Sequence, residues 1–424
     1  MSPEVPQSTG SNPDTPLIKT EVLIVGSGPI GAVFARTLVD NKKKSTVKGE
    51  LNLLSVPTNT TDVVLEPSSW APKYATIHTS LHAGHVTNKS FRADQLAFIK
   101  NGQNPNQKPF ETLPAAATSR VVGSMGSHWT CCTPRENPIE RSDLFSNEEW
   151  DGLYDRAEKL FDTTETAFDK SIRQQLVKKT LEKSFEGREM RSMPLACKRS
   201  EKNQKYVEWD ILTDKQYYIK AEKSIICAGA VLTPGILFNS SEFGNYDLAG
   251  SLPALHTQIR RDAFGYGQVP PTVDQRLIVD LRWFTYMEPK ESNYVEFSKT
   301  YQDQFRMPQP TFHFSLDQAA LDRCQGMITD MVDVAWKLGG FLPGAEPKYL
   351  APCSTLRICG TYRAGESDED SVVDRFGKAW HQDNLVLGGC GVIPTANACN
   401  PTLTAACFAL AAAGKIVEEL GAGQ

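Results

Sequence analysis

Apolar and polar positions follow one another along this chain in blocks whose spacing changes from strand-like to helical and back. Residues 21–25, Glu-Val-Leu-Ile-Val, form a short β-branched run that predicts a strand, and the run stops at glycine. Residues 32–39 then set apolar side chains at helical spacing, so glycines 26, 28 and 31 turn a strand into a helix. Residues 143–185 read as helical and charged, with Trp150, Leu153, Tyr154 and Leu160 supplying an apolar face. Residues 221–229 make another buried strand that meets glycine, and Thr233-Pro234-Gly235 opens a helix with proline near its first turn. Residues 276–284, 294–297 and 311–315 read as strands of a separate sheet, and 319–338 as an amphipathic helix. Residues 384–387 predict a last strand. A Gly-rich loop follows, and Asn400-Pro401 starts a long Ala-rich helix over 402–420.

This layout predicts an α/β protein: a Rossmann-like dinucleotide-binding domain with an inserted substrate domain built on a mainly antiparallel sheet plus helices. The expected boundaries begin with a disordered tail over 1–20. Three pieces, 21–145, 196–245 and 351–424, build the dinucleotide-binding domain. Two pieces build the substrate domain, helical over 146–195 and sheet plus helix over 246–350.

With 424 residues, 40% hydrophobic and 22% charged, the chain can bury a core of normal size in two or three domains. A net charge of −5 argues against general binding to nucleic acid or to anionic membranes, and leaves a neutral small-molecule substrate open. Residues 1–20 are rich in Ser, Pro, Thr and Asn and lack the charged start and apolar run of a secretory leader. No stretch nears the ~18 consecutive apolar residues of a membrane span, and 421–424 is not a peroxisomal address. The cytoplasm is therefore the default expectation. The ten cysteines, at 131, 132, 197, 227, 324, 353, 359, 390, 399 and 407, form no pair of zinc-like CxxC hooks. They read as reduced, buried thiols, and no metal is expected.

Three segments carry chemistry. The Gly turn, 26–31, offers a helix N-terminus to a pyrophosphate, held by backbone N–H groups and the helix dipole. Gly26 permits the tight turn, Gly28 the approach of the phosphates, and Gly31 the close packing of helix on strand. The turn alone does not separate FAD from NAD. The second segment, 120–134, is Gly- and Ser-rich around His128, Trp129 and Thr130, and is pliable enough to lie along a flat ring. A lone His among glycines is otherwise a surface or core residue. The third segment, 384–404, ends where a helix begins at Asn400-Pro401-Thr402. Its free N–H groups suit a flavin carbonyl, whose oxygen gains negative charge on reduction.

Together these segments resemble the glucose-methanol-choline (GMC) flavoprotein family. The resemblance runs in patches from about 20 to about 420, through 121–134, 256–267, 276–280, 307–310 and 388–404. It implies FAD as the cofactor. By resemblance, His128 falls at the position whose imidazole is covalently attached to the flavin, and Thr130 beside the reactive N5 edge. Pro401 and Thr402 join the cofactor site at the helix start. Asn400 matches the Asn that orients the substrate hydroxyl and supports the developing alkoxide. Gln258, Asp262, Phe264 and Tyr266 match a mobile loop over the substrate pocket, and Arg260 stands where the family has a His near the sugar. The implied reaction is oxidation of a CH–OH group: hydride passes from C2 of an aldopyranose to flavin N5, and oxygen or a quinone reoxidises the flavin. Relatives are oligomers, so a homo-oligomer belongs to this expectation.

The chain departs from the family in three places. Tyr362, within Cys359-Gly-Thr-Tyr-Arg-Ala-Gly365, stands where the family motif carries a His base. A phenol titrates near ~10 and an imidazole near ~6.5, so Tyr362 is a poor base at neutral pH. Losing general-base catalysis costs ~10²–10⁴-fold. The bland reading of Tyr362 is a side chain that fills space. Secondly, no strand ending in an acidic residue follows the turn at the roughly 20-residue distance a ribose acid requires. The second strand reads as missing, and Glu66, after the apolar run 63–65, belongs further along. Thirdly, segments read as absent between Asp210 and Ile211 and between Ala254 and Leu255, where adenine cover and much of the substrate domain belong. Three readings follow. The chain is an FAD-dependent sugar or alcohol oxidase, or a catalytically impaired paralogue or truncated gene product that holds flavin weakly or not at all. The third, a nicotinamide dehydrogenase, rests on the Gly turn alone, and the flavin-type C-terminal segment opposes it.

Overall fold

The computed structural model describes residues 17–41, 45–48, 52–55, 62–66, 77–79, 106–108, 111, 117–119, 123–127, 129, 131–197, 217–239, 255–260, 278–302, 308–342, 344–349, 357–395 and 397–422. Its main sheet is centred on two long strands, β1 (Leu17–Val25) and β9 (Tyr217–Ile226), which run parallel. β2 (Ser45–Lys48) joins the other side of β1, also parallel. The far edge of β9 is shared end to end. Its first residues pair antiparallel with β4 (Asp62–Glu66), which pairs in turn with β3 (Asn52–Ser55). Its last residues pair parallel with β14 (Leu385–Leu387). Val22, Leu23, Ile24, Ile225 and Ile226 are all fully buried, as expected of parallel strands covered on both faces.

Helix α1 (Pro29–Asp40) follows the Gly turn and packs on α6 (Thr402–Ala422). The buried side of α6 carries Ala405, Ala406, Ala409, Ala412 and Ala413, whose small side chains let the helix lie close to its neighbours. Helix α2 (Asn147–Leu160) begins at a capping box, Ser146 with Glu149, and lays Trp150, Leu153, Tyr154 and Ala157 on the same core. Trp150 meets Phe145 and Phe408 edge-on, at 5.1 and 5.4 Å. The short α4 (Leu232–Asn239) follows β9.

A second, smaller apolar cluster joins α3 (Ile172–Ser184), α5 (Gln318–Leu338) and β11 (Asp280–Thr285) through Leu181, Val334 and Trp283. Trp283 is anchored by its indole N–H, which donates to Asp330 at 2.7 Å. β11 pairs antiparallel with β10 (Leu255–Arg260), and β12 (Tyr294–Gln302) with β13 (Pro308–His313). The remaining ladders are β5 (Ile77–Thr79) with β6 (Ala117–Ser119), and β7 (Thr163–Thr164) with β8 (Leu195–Ala196). Among the described residues no helix is long and apolar enough to cross a membrane.

Several sequence expectations change here. The first strand starts at Leu17, so part of the expected tail is sheet; residues 1–16 lie outside the described residues. The helical stretch 143–185 is two helices. α2 joins the principal core and α3 the smaller one, with turns and β7 between them. The separate sheet is two ladders among the described residues. Pro308 and Pro310 in β13 lack the N–H that a further partner needs. The second strand is present as β2, at the expected distance, but it ends in Lys48 rather than an acid. Only Val47 is apolar in it, so no hydrophobic run announced it. Glu66 ends β4, on the side of β9 away from β1 and the Gly turn.

Candidate functional site

The Gly turn is built by contacts that no side chain would permit. Gly26 sits at φ +122°, and a Cβ there would lie 2.4 Å from the Cys227 carbonyl oxygen just beyond β9. At Gly31 a Cβ would fall 1.8 Å from the Gly26 carbonyl oxygen. Gly28 is the N-cap of α1 and offers no capping side chain. Over this turn lies the 3₁₀ turn Ser124–Ser127. The Gly123 N–H donates to Ser27 Oγ at 3.3 Å, Ser124 stands against Gly28, and Gly126 against Pro29. The first two sequence motifs therefore form one corner. Trp129 lies edge-on to Phe161 at 6.0 Å. His128 and Thr130 lie outside the described residues.

The second corner is at the start of α6. Gln258 is fully buried on β10, and its Nε2 donates to Asn400 Oδ1 at 2.5 Å. Gln258 is thus a strand residue, opposite Arg282, rather than part of a loop. Its Nε2 also lies 2.9 Å from His256 Nε2. With one amide hydrogen on Asn400, the other meets the imidazole nitrogen as acceptor, which assigns the ring proton to Nδ1. Arg357 completes the group: Nη2 donates to Asn400 Oδ1 at 3.2 Å and Nη1 to the Ala398 carbonyl at 2.6 Å. Two donors on Oδ1 fix the Asn400 amide, so its Nδ2 donor faces the opposite way. Pro401 and Thr402 follow directly, with the Pro401 carbonyl accepting from Ala405 N–H at 2.9 Å. Arg260 ends β10 opposite Asp280, while Asp262, Phe264 and Tyr266 lie outside the described residues.

Tyr362 is not in this group. It is 1% exposed, and its hydroxyl donates to the Gly388 carbonyl at 3.0 Å. Gly391 admits the ring: a Cβ there would fall 2.2 Å from Cε1. Burial pushes the phenol further up from its ordinary range, and Thr233 bonds it in partial opposition. Tyr362 is a proton donor to a backbone carbonyl inside the core, and the expected base position is corrected accordingly.

Beneath Asn400 lies a buried acidic pair. Glu140 Oε1 accepts the Ala398 N–H at 2.7 Å. Glu136 is 3% exposed, and burial, with Glu140 next, pushes its carboxyl up to about 8 against the pull of Tyr154 and Arg141. Tyr154 ties the pair to α6, its hydroxyl 2.9 Å from Thr404 Oγ1. Asn397 is also buried, and its Oδ1 has no hydrogen-bond partner among the described residues.

Sequence reading named Gln258 and Asn400 in separate roles, did not bring them together, and missed Arg357, His256, Glu136 and Glu140. For Arg357 a signal existed: a lone cation in the apolar stretch Leu356-Arg357-Ile358-Cys359 needs acceptors once buried.

A family model described as GMC oxidoreductase matches residues 289–409, which hold Arg357 and Asn400. The chain is 31% identical to pyranose 2-oxidase of Emericella nidulans, covering 98% of this chain and 95% of that protein. It is 28% identical to pyranose 2-oxidase of Lyophyllum shimeji, covering 95% and 92%. The first alignment spans 595 positions against a chain of 424 residues, so at least 171 positions face gaps in this chain. In fold it is similar to the crystal structure of pyridoxine 4-oxidase from Mesorbium loti, with a TM-score of 0.54, 13% identity, and 93% and 99% of the two chains covered.

Proposed function

The chain belongs to the GMC oxidoreductase family, and from that premise we propose that it is an FAD-dependent oxidase of a sugar CH–OH group, an aldopyranose oxidised at C2. What carries this reading is the meeting of Gln258, Arg357 and Asn400 at the start of α6. Oxygen or a quinone is the acceptor in this proposal.

The residues present fit the cofactor at two points. The uncapped N-terminus of α1 above Gly28 suits a pyrophosphate, and Asn397 Oδ1 is a buried acceptor without a donor among the described residues. Gly26, Gly28, Gly31, Pro401 and Thr402 would hold FAD, with Thr130 beside it and His128 as the residue for covalent attachment. At the adenosine end the fit is poorer, since β2 supplies no ribose acid. Bound FAD would supply the acceptor for the hydride that leaves the substrate carbon.

The chain's own groups handle the hydroxyl. Asn400 Nδ2 donates to the reacting oxygen. The Arg357 charge, held against Asn400, favours that oxygen as an alkoxide. His256 brings the imidazole that Tyr362 does not replace, and takes the hydroxyl proton at Nε2. In doing so it displaces the Gln258 N–H it had accepted. By the family resemblance, Gln258, Arg260, Asp262, Phe264 and Tyr266 are the residues for binding the substrate.

Purified protein should be yellow, and acid-precipitated protein should stay yellow through His128. Anaerobic mixing with a panel of aldopyranoses should bleach the flavin band. A protein that stays yellow with every sugar supports the second reading, an impaired family member, which the gaps in the alignment favour.

A further inference from the structure

Ala398 is gripped from both sides by side chains that are far from it in sequence. Its N–H goes to Glu140 Oε1 at 2.7 Å, and its carbonyl receives Arg357 Nη1 at 2.6 Å. Both bonds are short, and the Arg357 one belongs to the charge-assisted class. The same guanidinium reaches Asn400 Oδ1 through its other terminal nitrogen. Ala398 and Glu140 are both buried, and Glu140 leaves a 3₁₀ turn, Pro138–Glu140, capped by Asn137 Oδ1 on the Ile139 N–H. The carboxylate is therefore presented by a fixed turn to a fixed loop. Ala398 lies two residues before Asn400, so holding its backbone from both sides constrains the direction in which Asn400 leaves the loop.

We propose that Glu140 is a positioning residue: with Arg357 it clamps Ala398 and so aims the Asn400 amide at the reacting hydroxyl. The inference rests on the reading of Asn400 given above. Without the Glu140 acceptor, the Ala398 N–H is buried and unbonded, and the loop must shift to find a partner. A displacement of about 1 Å at a catalytic group costs about 100-fold in rate.

The test uses the full-length holoprotein with Glu140→Leu, Glu140→Asp, Glu140→Gln, Asn400→Ala and the double variant Glu140→Leu/Asn400→Ala. Amide hydrogen exchange over 397–404 reads the clamp without turnover. Steady-state kinetics with a turned-over sugar reads the aim. Glu140→Leu should speed exchange at Ala398 and lower kcat about 100-fold, with KM changed far less. Glu140→Asp, which keeps the charge but retracts the acceptor, should move both in the same direction. Glu140→Gln keeps an acceptor oxygen and should recover both. The double variant should be no slower than Asn400→Ala alone, because the two share one interaction. Unchanged exchange at Ala398 in Glu140→Leu and Glu140→Asp overturns the clamp. So does wild-type kcat in those variants while Asn400→Ala is impaired. If Asn400→Ala keeps full activity, the reading of Asn400 fails instead, and the exchange data still decide the clamp.

Discussion

Arg357 lies flat on Phe284, its guanidinium carbon 3.6 Å from the ring centroid, while its nitrogens hold Ala398 and Asn400. The aromatic face fixes the plane of the fork, and the fork fixes two acceptors at once. A lysine cannot reproduce this, because its ammonium is a single point donor. Arg357→Lys should lower kcat about 100-fold while the melting temperature falls only slightly. Steady-state kinetics beside thermal unfolding checks it, and Lys activity at the wild-type level would remove Arg357 from the site.

His256 and Tyr362 make opposite predictions. Replacing His256 with Ala removes the imidazole and should cost about 10²–10⁴-fold in kcat. Tyr362→Phe removes only a hydroxyl that bonds the Gly388 carbonyl. It should cost about 1 kcal/mol of stability and leave kcat nearly unchanged. A large kcat loss in Tyr362→Phe would return Tyr362 to the role of base.

How far each feature was legible depended on how local it is. The Gly turn is specified within six residues, because one strand, one turn and one helix make it. Asn400 and Gln258 are 142 residues apart, and nothing local to either one signals that they meet. Arg357 stands as a lone cation in an apolar stretch, but nothing local to it names its partners. Tyr362 misled because a motif gives a position and not a direction. What turns its ring into the core is the room left at Gly391. β2 was missed because Ser45, Thr46 and Lys48 carry no apolar signal, and its pairing with β1 is what makes it a strand.

Two glycines in helices should respond with opposite sign to the same change. At Gly31 a Cβ would lie 1.8 Å from a backbone carbonyl oxygen, so Gly31→Ala must open the turn. Flavin content and melting temperature should both fall. Gly414 lies within α6 with nothing within 4 Å of its added Cβ. Gly414→Ala should stabilise by about 0.5–1 kcal/mol from backbone entropy and leave flavin content alone. A Gly31→Ala protein with full flavin and unchanged melting would show that the turn is not the tight cradle described.

Glu136 should give stability a pH dependence of unusual sign for a carboxylate. Its ordinary value is 4.5, and burial raises it to about 8 in the folded chain. Between these values the folded chain keeps a proton that the unfolded chain has released. The contribution of this group is therefore fully present below pH 4.5 and is lost as pH rises through about 8. The titratable and charged groups that interact with it include Glu140, Arg141, Tyr154, Tyr286, Cys359, Cys399 and Cys407. Once ionised, it stands beside Glu140, with the Tyr154 hydroxyl and Arg141 in partial compensation. The melting temperature should fall between pH 5.5 and pH 8.5, and Glu136→Gln, a neutral group of the same shape, should flatten that fall. An equal fall in both proteins would assign the alkaline instability to another group.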